Sequence, residues 1–167
     1  YGNDVPVGNI NVLASDDATL KINAAQGSFA GNLAGGLSIG VAVVDKNVKA
    51  MAENLYAYSK GLNIDAQNLG YVLTTANGVA GSGTGALAGS AAETIVSYTT
   101  DAHLGAHATV HASVLDDSGK LVGGSAQINA KSSFEHVGEA AGLAGSGTVA
   151  IGLSNDTTYL TQDTRAY

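Results

Sequence analysis

Large and small residues alternate along several stretches of this chain. In the clearest stretch, every second residue is a branched apolar one and the residues between are small. The large positions are Leu37, Ile39, Val41 and Val43, and the small ones are Ser38, Gly40 and Ala42. A period of two predicts β-strands, each with one branched apolar face and a second face of little bulk.

The same alternation recurs in residues 148–153 and 106–112, and the Thr-rich run 94–100 also favours a strand. Residues 46–58 fit a helix as well as a strand. Their equivalents in the next repeat, around residues 99–107, have an extended pattern. The comparison between repeats therefore favours a strand there too.

An internal repeat organises the chain. Residues 61–103 align without a gap with residues 125–167, which gives a repeat of 64 residues. Ile64-Asp65-Ala66 falls on Ile128-Asn129-Ala130, and the Gly/Ala/Ser run of residues 78–84 falls on that of residues 142–148. Self-similarity at a fixed period is typical of stacked repeat architectures.

A shorter copy precedes these two. We align Ile22-Asn23-Ala24 with Ile64-Asp65-Ala66, and expect a loss of about ten residues before Lys49-Ala50, the counterpart of Asp101-Ala102. Residues 115–120 read as an added turn, because Asp, Ser and Gly favour turn geometry. The chain is thus predicted to be a single repeat block, residues 1–167, with approximate units 1–51 (the shortened copy), 52–103 and 104–167.

Short strands, glycine punctuation and repeats that need neighbours for burial predict an all-β tandem-repeat β-solenoid, a parallel β-helix with about three coils per 64-residue unit. An antiparallel β-sandwich or meander is the alternative. Ala166-Tyr167 followed by Tyr1-Gly2 would continue the repeat in phase. We therefore expect either a piece of a longer array, which we favour, or copies that stack head to tail.

Composition narrows the class of partner. The net charge is −7 with only seven Lys and Arg, which argues against a nucleic-acid surface. The charged fraction is 13%, the hydrophobic fraction 45% and there is no Cys, so an ordered chain held by burial and backbone pairing is expected. The longest strongly apolar run, residues 34–44, is too short to predict a membrane span.

Several residues invite a chemical role. His103, His107 and His111 recur every fourth residue, but on a strand they would lie ~13 Å apart, too far to share a metal. The runs 81–85 and 145–148 resemble a phosphate loop, but no Lys follows the final Gly as nucleotide binding requires. Solvated strand histidines and tight turns are the predictions.

The paired carboxylates Asp16-Asp17 and Asp116-Asp117 are predicted to be turn residues, because the spaced acidic loop of a calcium site is missing. His136 lies near Glu135 and Glu139 in sequence without forming a recognisable nucleophile arrangement. Asn155-Asp156-Thr157 has the form of a glycosylation acceptor, which we do not expect to be modified. We predict no catalytic, cofactor-binding or metal-binding residues, no cofactor and no enzymatic activity.

The repeat motifs resemble those of the giant repeat adhesins and haemagglutinin-like or leukotoxin-like surface proteins of Gram-negative-type bacteria. The resemblance lies in Ile-Asn/Asp-Ala followed by a Gly/Ala run, in residues 64–90 and 128–154. It continues through a Val/Thr-rich strand into residues 100–103 and 164–167. It implies a secreted, β-helical passenger region at the bacterial cell surface, with adhesive or structural work outside the cell.

Three functions follow as expectations. The first is a structural and adhesive segment in which residues 115–124, Tyr56, Tyr58 or Tyr71 contact an unidentified ligand on a host or neighbouring cell. The second is an extracellular filament subunit that self-associates head to tail. The third and weakest is a carbohydrate-active β-helix enzyme, suggested only by the surplus of Asp and the strands that carry Tyr and His.

Overall fold

The computed structural model describes residue 6 and residues 8–167, and its regular structure there consists of strands. In chain order they are β1 (Asn9–Ala30), β2 (Leu33–Ala52), β3 (Tyr56–Ser59), β4 (Gly61–Ser82), β5 (Gly85–Leu104), β6 (Thr109–Leu115), β7 (Leu121–Gly123), β8 (Ser125–Ser146) and β9 (Val149–Ala166).

The strands form three sheets whose members come from successive repeats. Sheet A has the order β1-β4-β8, sheet B the order β2-β5-β9, and the short sheet C the order β3-β6-β7. All pairs are parallel except β6 with β7. The parallel solenoid is confirmed. The antiparallel sandwich or meander is wrong, because each repeat runs in the same direction as the one beneath it.

The strand register is constant across each sheet. Asn9 pairs with Gly61, Gly61 with Ser125, and neither series slips along the strand. The register confirms the gapless 64-residue alignment and divides the described chain into coil 1 (residues 9–60), coil 2 (61–124) and coil 3 (125–166). The prediction of about three coils per unit is wrong. One repeat makes one coil, because each long strand runs for 18 to 22 residues.

The alignment of the shorter copy needs a correction. Ile22 pairs with Thr74, and Val12 is the residue that pairs with Ile64. Lys49 does lie beside Asp101, as predicted. Coil 1 is shorter because it lacks the β6–β7 hairpin, and its Gly/Ala run has lost nothing. Short motifs of common residues, such as Asn-Ala-Ala, match at several offsets and so allowed the shorter copy to be aligned at the wrong one.

Repeat units can be divided at any point of their period, so the predicted units 1–51, 52–103 and 104–167 stay a prediction beside the coils that the register defines. The predicted continuity of Ala166-Tyr167 with Tyr1-Gly2 involves two residues that lie outside the described part of the chain.

Two-residue turns, 31–32, 83–84 and 147–148, join the long strands, and we call this end of the coils the arch. Near the arch, sheets A and B face each other through their small residues. In β2 the alternation is confirmed, and Ser38 and Ala42 are buried while Leu37 is 63% exposed. The interior is thin enough for backbone to approach backbone: a Cβ atom at position 78 would lie 2.2 Å from the carbonyl oxygen of Gly89. Glycine and alanine therefore form the core at this end, and Leu37, Ile39, Val41 and Val43 of β2 point to solvent.

The interior accepts larger side chains toward sheet C. The main buried cluster there consists of Val48, Ala50, Ala52, Leu62, Ile64, Ala66 and Ala102. The cluster at the opposite end consists only of alanines: Ala34, Ala80, Ala86 and Ala88. Each coil is therefore narrow at the turn between its two long strands and wider where sheet C closes it.

The long strands end where the chain turns into sheet C. Asn54 and His107 both have positive φ, 52° and 57°, and the amide of Asn54 donates to the carbonyl oxygen of Ala106 at 3.1 Å. Strand rather than helix is confirmed for most of residues 46–58, with a break at 53–55. The strand predicted over residues 106–112 begins only at Thr109.

Candidate interaction surfaces

The edge of coil 3 leaves part of its interior open. Positions that face inward in coil 2 are sealed, and Val96 is 1% exposed. Its register partner in coil 3, Leu160, is 49% exposed. Strands β8 and β9 each pair on one side only among the described residues. Unpaired parallel edges over an uncovered apolar interior are a template for another coil of the same shape.

The outer face of sheet B carries an exposed apolar surface. Its members are the outward residues at the arch end of the sheet: Leu33, Leu37, Ile39, Val41, Val43, Leu87, Ile95, Val149, Ile151, Leu153 and Tyr159. Gly85 lies between Leu33 and Val149, and Gly89 lies between Leu37 and Leu153. The surface therefore has shallow depressions at the glycines. Contiguous exposed apolar area of this kind marks interaction surfaces on soluble proteins.

Aromatic rings gather on the outer face of sheet C. Tyr58 stacks on His111 with ring centroids 4.9 Å apart and an angle of 18°, as their pairing in neighbouring strands dictates. Tyr56 meets both rings edge-on, and its hydroxyl lies 3.0 Å from that of Tyr58. We call these three residues the aromatic cluster. Tyr71, the third tyrosine predicted for contact, lies apart on the outer face of sheet A.

The β6–β7 hairpin projects beside the aromatic cluster, on the same short sheet. The Asp116 carboxylate accepts the Ser118 amide at 2.9 Å, the Ser118 hydroxyl at 2.6 Å and the Lys120 amide at 2.9 Å. Gly119 has the φ of +79° that such a turn requires. These donors, the Ser118 hydroxyl first, lower the pKa of Asp116. The predicted turn is confirmed, and it belongs to coil 2.

A buried polar group that the sequence analysis did not identify lies in the middle of the stack. Lys46 points inward from β2, 3.2 Å from the Asp16 carboxylate, and its Nζ lies 5.1 Å from the centre of the Tyr98 ring. Burial, and secondly the charge of Asp16, raise the pKa of the Tyr98 phenol. Asn68 lies beside Asp16 in the register. Strand parity would have placed Lys46 inward with Ala42 and Ala50.

The three spaced histidines do not share a strand face. His103 is the last residue but one of β5, where its Nδ1 lies 3.0 Å from an Asp101 oxygen and its ring stacks on Tyr167 at 5.0 Å. His107 lies in the turn and His111 in β6. The prediction of solvated strand histidines is wrong for His103, which is only partly exposed, and for His107, because the chain turns between them.

The remaining candidates are separated by the fold. His136 faces inward and its Nδ1 lies 3.1 Å from the Thr158 hydroxyl, whereas Glu135 and Glu139 alternate with it and point outward. Asp16-Asp17 belong to β1, so the prediction of a turn there is wrong. The Nδ2 of Asn155 donates to the Thr157 hydroxyl at 3.0 Å.

The glycine-rich runs form the turns between the sheets. Residues 83–84 connect β4 to β5, and the Gly83 amide donates to the Gly31 carbonyl at 3.0 Å in the coil beneath. The Ser82 and Ser146 hydroxyls each donate to a carbonyl three residues on. The tight turn predicted for these runs is confirmed, and the stacked turns hold the coils in register.

Comparisons with known proteins yield no relative: no family model, no curated protein and no solved structure matches the chain. Among the described residues, no three or more His, Cys, Asp or Glu side chains converge as a metal site would require. The described part of the chain also contains no helix long and apolar enough to cross a membrane.

Proposed function

We propose that this chain is a structural and adhesive repeat segment of a long bacterial cell-surface or secreted protein. The observation that carries the proposal is the stacking of whole repeats as single coils in one unbroken parallel register. Such a stack grows along one axis by adding coils, so repeat number sets length.

The open edge supports the same proposal. Leu160 and its inward neighbours are exposed in coil 3, while their counterparts in coil 2 are covered by the coils on both sides. Three coils extend only about 10 Å between their outer backbones, whereas a 22-residue strand spans about 70 Å. A stack this flat has a large proportion of its interior at an edge. A longer array would bury the same residues in each added coil.

The reading frame that encodes this chain tests the proposal directly. We expect further copies of the coil before or after these residues, with alanine at the position that Ala34, Ala86 and Ala150 share in the three coils. A frame that holds these three coils and no further copies would contradict a stalk built from many repeats.

The aromatic cluster and the β6–β7 hairpin are the surface that we assign to adhesion. Tyr56 is 67% exposed, and the hairpin beside it is the part by which coil 2 differs from coil 1. Exposed tyrosines give contact area at low entropic cost and are enriched among residues that dominate binding.

Beads coated with the purified chain test this assignment on bacterial and animal cells. We expect the double variant Tyr56→Ala/Tyr58→Ala to lose binding about tenfold or more, since loss of an aromatic hot spot costs ~2 kcal/mol. Tyr159→Ala removes a similarly exposed tyrosine from the apolar surface of sheet B, outside the aromatic cluster, and should bind normally because we assign adhesion to the cluster. Equal binding by wild type and the double variant would remove adhesion from this surface.

A second candidate function is a filament subunit whose copies stack head to tail. The open edge of coil 3 favours it as well, because an identical molecule is one coil-shaped partner that is always available. Electron microscopy of the purified chain separates the two. Isolated flat particles would remove the filament, while long threads with strands perpendicular to their axis would favour it.

A further inference from the structure

A lysine lies inside the stack with its ammonium group enclosed. The Lys46 side chain is 6% exposed, and its Nζ lies 3.2 Å from the Oδ2 of Asp16. The same Nζ donates to the carbonyl oxygen of Leu69 at 2.6 Å. Lys46 comes from sheet B of coil 1 and Leu69 from sheet A of coil 2. The side chain therefore crosses the interior between two coils.

The carboxamide of Asn68 faces the same part of the interior as Lys46. Asn68 precedes Leu69, points inward and is 0% exposed. Neither its Oδ1 nor its Nδ2 has a hydrogen-bond partner among the described residues. Asn68 pairs in register with Asp16, which puts the two backbones about 4.8 Å apart with both side chains on the inner face. A fully buried amide without partners is costly, so its presence calls for an explanation.

We propose that Lys46 and Asn68 react to form an intramolecular isopeptide bond, with Asp16 transferring the protons. This modification site goes beyond the proposed function and does not depend on it, because it applies equally to a stalk and to a filament. The three groups are the amine, carbonyl and acid–base residue that the reaction requires.

The steps balance without an added reagent. The Lys46 ammonium gives a proton to the Asp16 carboxylate, and the neutral amine attacks the Cγ of Asn68. Asp16 then gives its proton to Nδ2 and takes one from Nζ. The bond from Cγ to Nδ2 breaks and ammonia leaves, taking the proton from Asp16 as ammonium. The products are a Lys46–Asn68 amide, ammonium and an ionised Asp16.

The surroundings favour this reaction over its competitors. Tyr98 packs beside Lys46 and is itself buried, so little water reaches the amine. The Nζ of Lys46 lies against the carbonyl oxygen of Leu69, the residue after Asn68, and against Asp16, the register partner of Asn68. Holding two reactants this close together replaces an encounter in solution and accelerates the reaction greatly. Asp16 is the less suitable electrophile because its carboxylate is charged and 46% exposed. It is well placed as the acid and base.

The intact mass of the purified chain tests the proposal. We expect the folded protein to weigh one ammonia less than its sequence, and a protease digest to contain a branched peptide that joins Lys46 to Asn68. Lys46→Arg and Asn68→Ala should each restore the full mass, and Asp16→Asn should slow or abolish the loss. Lys49→Arg, on the outer face of the same strand, is the matched control and should retain it.

One side reaction has the same mass. Asn77 precedes Gly78, and an Asn-Gly pair can lose ammonia by closing a succinimide. A succinimide hydrolyses in mild alkali and yields no branched peptide, whereas the isopeptide bond persists. An unchanged mass after long incubation of the folded wild-type chain would overturn the proposal. A loss of one water instead, with a Lys46–Asp16 branched peptide, would overturn the choice of Asn68.

Discussion

Gly78 tests how closely the two long sheets approach. A Cβ atom there would lie 2.2 Å from the carbonyl oxygen of Gly89 and 3.0 Å from its carbonyl carbon. Both atoms are backbone, held by strands on each side, so no side-chain rotation can relieve the overlap. Gly78→Ala must therefore force sheets A and B apart near the arch. Overpacking a rigid interior costs ~1–3 kcal/mol, and we expect about 3 kcal/mol because the obstacle is backbone.

Gly35→Ala is the control for this substitution. Gly35 lies in a long strand as Gly78 does, but on the outer face, and no heavy atom among the described residues would lie within 4 Å of its new Cβ. Alanine there restricts the unfolded chain and should stabilise the protein by up to about 1 kcal/mol.

Urea unfolding followed by far-ultraviolet circular dichroism measures both effects. We expect the midpoint to fall for Gly78→Ala and to stay or rise for Gly35→Ala. Equal midpoints for the two variants would refute the argument, because they would mean that the sheets are not in backbone contact at Gly78.

Four further predictions concern the interior, the outer face and the hairpin. The buried hydroxyl groups of Thr74 and Thr94 lie 2.8 Å apart. Thr94→Val should lower the free energy of unfolding by about 1–3 kcal/mol because it leaves the Thr74 hydroxyl unpaired, while the double valine variant should be nearly neutral. If the losses of the two single variants in urea unfolding add up to that of the double variant, the two hydroxyls are not coupled. Leu37→Ser should change stability by less than about 0.5 kcal/mol, since Leu37 points to solvent. Ala88→Leu should cost about 1–3 kcal/mol by overfilling the fully buried face, and the reverse ranking would mean that the faces are assigned wrongly. The pKa of Asp116 is lowered in the folded chain. Its contribution to the stability of the turn is therefore fully present above the pKa of an unfolded Asp and is lost as the pH falls through the lowered value. An NMR titration of its carboxyl carbon should give a midpoint below 3.8, the ordinary value.

The parallel stack was predictable because the repeat aligns without gaps. In a stacked repeat, an unbroken shift of 64 residues places both long strands of coil 2 beside their equivalents in coil 3, and the pairing of Gly61 with Ser125 follows. The number of coils per repeat was not predictable in this way. Alternation with a period of two continues through strands of any length, so it does not reveal that β4 runs for 22 residues.

The sequence also did not reveal which face of each long strand points into the interior. A branched apolar face normally packs inward, but near the turn between the two long strands the inward face is the one with glycine and alanine. Close approach of two backbones stabilises this arrangement, and only the opposite strand shows that Gly78 faces Gly89. The group formed by Lys46, Asp16 and Asn68 was missed for a related reason, because stacking brings together residues that are distant in sequence.

The hairpin of coil 2 shows where this fold admits change. The segment from the start of β1 to the end of β2 pairs residue for residue, without a gap, with the segment from β4 to the end of β5. Coils 1 and 2 therefore differ in length only after these strands, in residues 53–60 of coil 1 and 105–124 of coil 2. The two long strands of each coil, in sheets A and B, are fixed by the close packing near the arch. The segment that follows them, on the side of sheet C, is free to lengthen. Loops of different size and chemistry can therefore project from one line along the stack, each exchangeable without disturbing the coils above or below it.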